Sequence, residues 1–492
     1  MEPYSPFDFG PYQLRNRLVM APMTRLRADM EGVPGDLVAE YYAQRASMGL
    51  IVTEGVFPDL AARTWLGQPG IETPEQTAGW RKIADVVHDR GGTIVMQIMH
   101  AGRLSHPTIN GTGRVVSASA TTAPGYTHNT AGRVDYIQAE PLTEPEIKQI
   151  IASWVRASRH AIDAGMDGVQ IHGANGYLIH QFLSPNTNLR TDSWGGSPEA
   201  RARLAIEVTR AVVAEIGGER TSIRLSPQHN IQGIEETDVA DVDATYHHLA
   251  RELAPLGLGF VDILHADPAS GLVQGLRRAI GAPLVVNQGF AAVTTRDSAA
   301  TYISEGVADA VGVGRPALAN PDLVERWRTG APENAPIQET IDSGRASGYS
   351  DYQGQPAPTQ YNGFLPGFQI GDYSGLSQAV WTVEGNSQYL VYGGEFVAVN
   401  GTKQQGLVRF SMSGGDVNAA EPGNEDADNG NNGNNGNNGN NDDGDNGKDK
   451  QDKKDKKKNK KKQDDWDDQD GWDQGDWDQA GWDDNQGGGW WW

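Results

Sequence analysis

The sequence contains no cysteine. Without thiols the chain cannot form disulfides, thiolate metal sites or a cysteine-bound iron–sulfur cluster. This composition suits a reducing compartment, and we predict a cytoplasmic location.

Long apolar runs and an excess of basic residues are also missing. No run of about 18 or more apolar residues occurs, so no transmembrane helix is expected. Residues 1–23 lack a basic stretch followed by an apolar core, so no signal peptide is predicted. The net charge of −23 argues against non-specific nucleic-acid binding, which needs a basic face. We therefore expect a small-molecule substrate, with no nucleic acid and no membrane as partner, and we make no prediction of oligomeric state.

Eight apolar, strand-like runs alternate with helix-like segments in the first two thirds of the chain. They occupy residues 18–23, 50–55, 93–100, 168–173, 222–227, 260–266, 283–289 and 309–316. Near-continuous apolar strands are typical of a parallel sheet covered on both faces. Eight such units favour an α/β fold of the (β/α)₈ TIM-barrel type. The alternative is an open doubly wound sheet, but the first turn, APMTRL, lacks its Gly-x-Gly-x-x-Gly motif.

The composition divides the chain into three predicted parts. Residues 1–353 are predicted to form the TIM-barrel domain, residues 354–414 a short β-rich segment and residues 415–492 a disordered low-complexity tail. Within the barrel domain, the long Pro-, Gly- and Thr-rich stretch 103–142 is expected to form an excursion over the catalytic mouth of the barrel. A β-hairpin is one conformation that this stretch could adopt. The segment YLVYGGEFVAVNGTKQQGLVRF resembles one blade repeat of bacterial surface β-propellers. This leaves open an interaction or surface protein in which the C-terminal segment binds a partner and the barrel is a passenger.

Polar residues and glycines gather where the predicted strands end, and in such barrels these ends carry the chemistry. Gly289, Gly314 and Arg315 favour a phosphate-bearing cofactor, because glycine lets backbone amides approach an anion and arginine binds it. Arg224 lies inside an apolar strand, so it needs either a barrel carboxylate or an electron-rich ring beside it. Gln97, also on an apolar strand, is placed to hydrogen-bond the same ring.

His172, Asn175 and Tyr177 follow the fourth strand as His-x-x-Asn-x-Tyr. A metal site is not predicted, because no carboxylate stands at ligand spacing and asparagine is a poor ligand for zinc or iron. A serine nucleophile is not predicted either, since no Gly-x-Ser-x-Gly motif is present. What remains is a pair of hydrogen-bond donors for an oxyanion with a phenol as proton donor nearby. A histidine taken alone more often has a structural role.

Several segments together resemble the old yellow enzyme family of flavin-dependent ene-reductases. They are APMTR, the Glu-Gly pair, QIMHAGR, the block from His172 to Arg203, IRLSP and GVGRPALANPDL. The matches run in order from about residue 5 to 352. The resemblance implies a TIM barrel that holds FMN non-covalently at its mouth, with NADPH or NADH as reductant. It further implies reduction of the activated C=C bond of α,β-unsaturated carbonyls or similar electron-poor alkenes, by hydride transfer from flavin N5 and protonation by a tyrosine.

The same resemblance assigns expected roles to individual residues. FMN contacts are expected of Pro22, Met23, Thr24, Gly55, Gln97, Arg224, Gly289, Gly314 and Arg315. His172 and Asn175 are expected to bind the substrate oxygen, and Tyr177 to donate the proton. Met99 stands in the substrate pocket where many relatives have Trp, and Asp342 stands where many have a ligand-capping Tyr. A dienoyl-thioester reductase, whose relatives add an iron–sulfur cluster, is disfavoured by the lack of cysteine.

Overall fold

A computed structural model describes residues 2–290 and 292–335 and the backbone of six short strands between residues 368 and 411. The expectations for Asp342 and for the tail 415–492 lie outside the described residues. The predicted boundaries at residues 353 and 414 stay predictions.

Strands and helices alternate along the first part of the chain. The strands are β1 (Phe7–Phe9), β2 (Tyr12–Leu14), β3 (Leu18–Met20), β4 (Leu50–Val52), β5 (Ile94–Ile98), β6 (Val116–Ser117), β7 (Tyr126–Asn129), β8 (Gly132–Asp135), β9 (Glu140–Pro141), β10 (Gly168–Gly173), β11 (Thr221–Leu225), β12 (Phe260–Leu264), β13 (Leu284–Asn287) and β14 (Ala310–Val313). The helices are α1 (Asp36–Gln44), α2 (Pro74–His88), α3 (Pro107–Asn110), α4 (Glu144–Asp163), α5 (Leu178–Leu183), α6 (Pro198–Ile216), α7 (Val239–Leu253), α8 (Gly271–Ile280), α9 (Arg296–Ser304), α10 (Arg315–Ala319) and α11 (Leu323–Thr329). Single 3₁₀ turns lie at Leu60–Ala62 and Ala254–Leu256.

Eight parallel strands close into a barrel in the order β3, β4, β5, β10, β11, β12, β13, β14. They are the eight apolar runs of the sequence. Almost every residue of these strands is buried, because the barrel interior covers one face and the helices cover the other. The TIM-barrel prediction is confirmed, and the doubly wound alternative was wrong.

The hairpin of β1 and β2 packs at the amino-terminal end of the barrel. Phe9 lies against Phe260 at the start of β12, with their ring centroids 5.5 Å apart. Gly10 turns the hairpin at φ +57°, and a Cβ on it would lie 2.4 Å from the Gly259 carbonyl oxygen. Only glycine fits this close approach. The opposite, carboxyl-terminal end of the strands is left for a functional site.

Local sequence signals explain where the helices begin and end. Thr73 and Gln76 form a capping box at the start of α2, with proline at the first helical position. Ser197 Oγ accepts the Ala200 N–H at the start of α6. Gly281 ends α8 in the left-handed conformation at φ +73°.

No helix in the described ranges is both long enough and apolar enough to cross a bilayer.

The long stretch after β5 forms the expected excursion. Strands β7 and β8 pair as an antiparallel hairpin, and β6 pairs with β9. Ala123 and Tyr136, which flank the hairpin, pack in one apolar cluster with Tyr177. The predicted excursion over the barrel mouth is confirmed, and part of it forms a hairpin.

The strands beyond the barrel belong to a second unit. They are β15 (Phe368–Ile370), β16 (Thr382–Gly385), β17 (Tyr389–Gly393), β18 (Phe396–Val399), β19 (Thr402–Lys403) and β20 (Leu407–Ser411). They form two three-stranded antiparallel sheets, β15-β18-β19 and β16-β17-β20. Short strands occur here as expected, but the likeness to a propeller blade gains no support from them.

Candidate active site at the mouth of the barrel

The turn after β10 brings together the three residues of the His-x-x-Asn-x-Tyr motif. His172 is the penultimate residue of β10, and Tyr177 is the N-cap of α5. All three side chains are buried, and the rings of His172 and Tyr177 have centroids 4.9 Å apart. The sequence places these residues at a strand end, and the structure places them side by side.

His172 is held in its neutral form. Burial lowers its pKa well below 6.5, and the nearby Arg224 and His180 lower it further. A neutral imidazole keeps one N–H donor and one acceptor nitrogen. Its Nδ1 and the Oδ1 of Asn175 are buried polar atoms without a hydrogen-bond partner among the described residues. Such atoms are costly unless a ligand satisfies them, so they point to a binding site.

Tyr177 belongs to a cluster of buried apolar side chains that forms one wall of the site. Its ring meets Trp65 edge-on, with centroids 6.3 Å apart at 87°. The cluster that contains both also includes Met99, Leu104, Ala123 and Tyr136. Burial raises the pKa of Tyr177 above its usual value of 10, against a smaller lowering effect of Gln232. The phenol therefore stays protonated at neutral pH and is available as an acid.

Two members of this wall, Trp65 and Tyr136, were missed by sequence reasoning. Trp65 lies in the loop after β4, and Tyr136 lies beyond the β7–β8 hairpin. Neither is at a strand end, so the rule that finds His172 does not find them. The only signal for Tyr136 was its place in the stretch 103–142, which is predicted to cross the mouth. No prediction was made for the loop that carries Trp65.

Met99 lies immediately after β5 and is 2% exposed. A Cβ at position 55 would lie 2.8 Å from the Met99 sulfur. Gly55 thus leaves the space that Met99 occupies beside Tyr177. The predicted pocket residue is in contact with the wall of the site.

Buried polar side chains connect four neighbouring strands below the mouth. Gln97 Nε2 donates to Gln170 Oε1 at 2.7 Å, and Gln170 Nε2 donates to Asp262 Oδ2 at 3.3 Å. Asp262 also forms a buried ion pair with Arg224. Gln170 and Asp262 were missed, although each is a polar residue on an apolar strand, the same signal that singled out Gln97 and Arg224.

Arg224 has the barrel carboxylate partner that one interpretation of its sequence position predicts, and its place beside a cofactor ring stays a prediction. Its Nη1 pairs with the Asp262 carboxylate on the adjacent strand, at the register position directly opposite. Its Nε is buried without a partner among the described residues, and its side chain lines a cavity. The charge is therefore compensated within the barrel and still faces the cavity.

The cavity opens at the carboxyl ends of β3 and β11 to β14 and has a volume of about 480 Å³, including space open to solvent. Its lining includes Ala21, Pro22, Met23, Arg224, Leu264, Asn287, Gly289, Phe290, Ala292, Val293, Thr294, Gly314 and Arg315. Six of the nine residues expected to contact FMN are in this lining. The other three, Thr24, Gly55 and Gln97, lie outside it.

The loop that carries Thr24 is held by a buried carboxylate, Glu54, which follows the next barrel strand. Glu54 Oε2 accepts the backbone N–H of Arg25 at 2.8 Å and of Leu26 at 3.1 Å. Burial raises the pKa of Glu54, against the lowering effect of these hydrogen bonds. Leu26 is left-handed at φ +54°, so this carboxylate holds the loop after β3 in a bent conformation.

Glycines and an arginine shape the end of the cavity formed by the last two strands. Gly289 has φ +87°, and Gly314 directly precedes α10. Arg315 Nη2 donates to the carbonyl oxygens of Phe290 at 2.7 Å and Ala292 at 3.0 Å, which ties the loop after β13 to α10. Backbone without side chains beside a fixed guanidinium suits a phosphate group.

Comparisons with known proteins agree with this geometry. Residues 3–334 match the model of the NADH:flavin oxidoreductase / NADH oxidase family. A Leishmania infantum protein named "Probable flavin mononucleotide-dependent alkene reductase" is 40% identical over 70% of this chain and 96% of its own length.

Two solved structures are also similar. The old yellow enzyme homologue from Zymomonas mobilis is 39% identical, with a TM-score of 0.66, over 72% of this chain and 99% of its own. Morphinone reductase in complex with tetrahydroNAD is 36% identical, also with a TM-score of 0.66, over 74% of this chain and 99% of its own.

Proposed function

The chain belongs to the NADH:flavin oxidoreductase / NADH oxidase family, of the old yellow enzyme type, and from this premise we propose the roles of its individual residues. It is an FMN-dependent oxidoreductase that uses NADPH or NADH to reduce the activated C=C bond of α,β-unsaturated carbonyls or similar electron-poor alkenes. The family match covers the barrel itself, so the alternative in which the barrel is a passenger has no support. The cytoplasmic location stays a prediction from the sequence.

The residues present fit an FMN group. Arg224 lines the cavity, and its Nε has no hydrogen-bond partner among the described residues. Gly289, Gly314 and Arg315 line the same cavity and suit an anion. Gly289, Gly314 and Arg315 would hold the phosphate, and Arg224 would place positive charge beside the ring. The residues proposed for the remaining contacts are Pro22, Met23, Thr24, Gly55 and Gln97.

When bound at this site, FMN would supply the hydride for the β-carbon of the alkene, with NAD(P)H as the source of the electrons. The chain's own contribution begins with His172 and Asn175, whose N–H groups bind the carbonyl oxygen and stabilise the negative charge that develops there. A neutral His172 donates one N–H without bringing a full charge into the buried site. Removing one such donor typically costs about 3–4 kcal/mol in transition-state stabilisation.

Tyr177 then moves the proton. Its phenol is buried and protonated, so the hydroxyl proton can be transferred to the α-carbon as the C=C bond is reduced. The surrounding wall, with Trp65 and Met99, excludes bulk water that would compete as a proton source. The observation that carries this assignment is the contact of the Tyr177 ring with the neutral imidazole of His172.

The test separates the two half-reactions. We expect the wild-type and Tyr177→Phe proteins to bind FMN equally well and to be reduced by NADPH or NADH at similar rates. Reduction is followed under anaerobic conditions by the loss of flavin absorbance. Reoxidation by 2-cyclohexenone should slow about 10²–10⁴-fold in Tyr177→Phe, because the general acid is lost. Tyr302→Phe, on α9, removes a hydroxyl outside the pocket and should reoxidise at the wild-type rate. Equal reoxidation by Tyr177→Phe and wild type would exclude Tyr177 as the proton donor.

A further inference from the structure

A network of buried polar side chains lies directly behind the substrate-binding turn. Glu236, His180 and Tyr246 are at most 3% exposed. His180 Nε2 lies 3.2 Å from Glu236 Oε1, and the Tyr246 hydroxyl donates to the same oxygen at 3.1 Å. The Gln228 backbone N–H donates to Glu236 Oε2 at 2.8 Å. None of these groups has a role in the reaction as described above.

The hydrogen bonds of His180 fix its tautomer. The backbone N–H of Gly176 donates to His180 Nδ1 at 3.1 Å, so Nδ1 carries no proton. The ring proton is therefore on Nε2, from which it is donated to Glu236. Burial alone would raise the pKa of Glu236, but His180 and the hydrogen-bond donors outweigh it and hold this pKa below its usual range. Glu236 is thus a carboxylate that selects the tautomer of His180.

The same ring supports the backbone that carries Asn175. Asn175 and Gly176 are both left-handed, at φ +55° and φ +81°. The Asn175 N–H donates to Ser226 Oγ at 2.9 Å, and this hydroxyl lies 3.4 Å from His180 Nδ1. Two consecutive N–H groups are thus directed at Ser226 and His180. A left-handed asparagine costs free energy, and these two hydrogen bonds offset it.

We propose that Glu236 is a positioning residue, which fixes the Nε2–H tautomer of His180 and so holds Asn175 in the conformation that presents its amide to the substrate oxygen. The proposal rests on the proposed function of Asn175. Glu236→Gln tests it with little change in shape. A glutamine amide can donate to Nε2, and this favours the other tautomer, whose Nδ1–H opposes the Gly176 N–H.

The readout is ligand binding by the oxidised FMN-loaded protein. We expect the Kd of 4-methoxybenzaldehyde, a neutral planar carbonyl probe, to rise about ten-fold in Glu236→Gln, as measured by the change in flavin absorbance. FMN content should stay the same. In the Asn175→Ala background, the same Glu236→Gln change should have little further effect, because the group that Glu236 positions is already gone.

Tyr246→Phe provides a second route to the same measurement. It removes one donor to Glu236 and should raise the Kd in the same direction by a smaller factor, again only when Asn175 is present. If Glu236→Gln fails to load FMN, this variant alone decides the question. Asp241→Asn is the matched control, since it neutralises the carboxylate of the Arg201–Asp241 pair at the start of α7. Its Kd should equal that of the wild type.

Three outcomes are distinguishable. A wild-type protein that neither binds the probe nor reduces 2-cyclohexenone would overturn the proposed function. A functional wild type with an unchanged Kd in the FMN-loaded variants would overturn the positioning role alone. Effects of Glu236→Gln and Asn175→Ala that simply add would show a general structural role for Glu236 and would also overturn the proposal.

Discussion

His172 shows how burial sets the chemistry of a single residue. Desolvation is the main cause that holds its pKa well below 6.5, and the charge of the nearby Arg224 lowers it further. The imidazole is therefore neutral on both sides of pH 6.5. We expect the Kd of 4-methoxybenzaldehyde for the oxidised holoenzyme to be the same from about pH 8 to pH 5.5, measured by flavin absorbance. An inflection near pH 6.5 that disappears in His172→Asn would contradict this expectation.

The residues of the motif were accessible from sequence because chemistry in a parallel barrel gathers at strand ends. His172 is the penultimate residue of β10, and Asn175 and Tyr177 follow within five residues. The pairing of His180 with Glu236 was not accessible, since these residues are 56 positions apart and meet only through the packing of α5 against the loop after β11. Their individual places in the sequence carry no sign of a partner.

At the scale of elements, four adjacent strands share one buried polar row, and its charge balance depends on Asp262. Replacing Asp262 with leucine leaves Arg224 buried without its carboxylate partner. We expect Asp262→Leu to lower the free energy of unfolding by about 3–5 kcal/mol. Urea denaturation followed by circular dichroism would measure it.

A surface ion pair gives the comparison for this prediction. Arg210 and Glu252 pair across helices α6 and α7 with half-exposed side chains. Glu252→Ala should change the free energy of unfolding by no more than about 1 kcal/mol, because exposed pairs are screened by water. Equal costs for Asp262→Leu and Glu252→Ala would mean that the Arg224 charge is compensated elsewhere.

The strands and long helices were predictable because period and composition agree with the final structure. Seven of the eight barrel strands fall inside the predicted apolar runs, and β11 begins one residue before its run. Helices such as α2 begin at a capping box that is visible in the sequence. The excursion after β5 was predicted only as a region. Its contact with Tyr177 depends on where the hairpin folds back, and hydrophobic period does not specify that. For the same reason Trp65 and Tyr136 were not predicted.

At the scale of the whole molecule, buried histidines couple folding to pH. Burial lowers the pKa of His100 to about 4 and that of His229 to about 4, and His172 is lowered as well. On unfolding, each returns to an ordinary value near 6.5. Below that pH the unfolded chain binds more protons than the folded one, so acid favours unfolding. Glu54, whose pKa is raised, opposes this trend in part.

We therefore expect the melting temperature of the holoenzyme to fall as the pH is lowered from about 7.5 to 5. Each histidine with a folded pKa of about 4 contributes a loss on the order of 2 kcal/mol at pH 5. His100→Gln keeps an acceptor for the Gly102 N–H but cannot titrate, so its melting temperature should fall less steeply over the same range. The variant can also have a lower melting temperature at neutral pH. Only the slope of melting temperature against pH measures the protonation of His100. Identical slopes for the variant and the wild type would mean that His100 does not couple folding to pH.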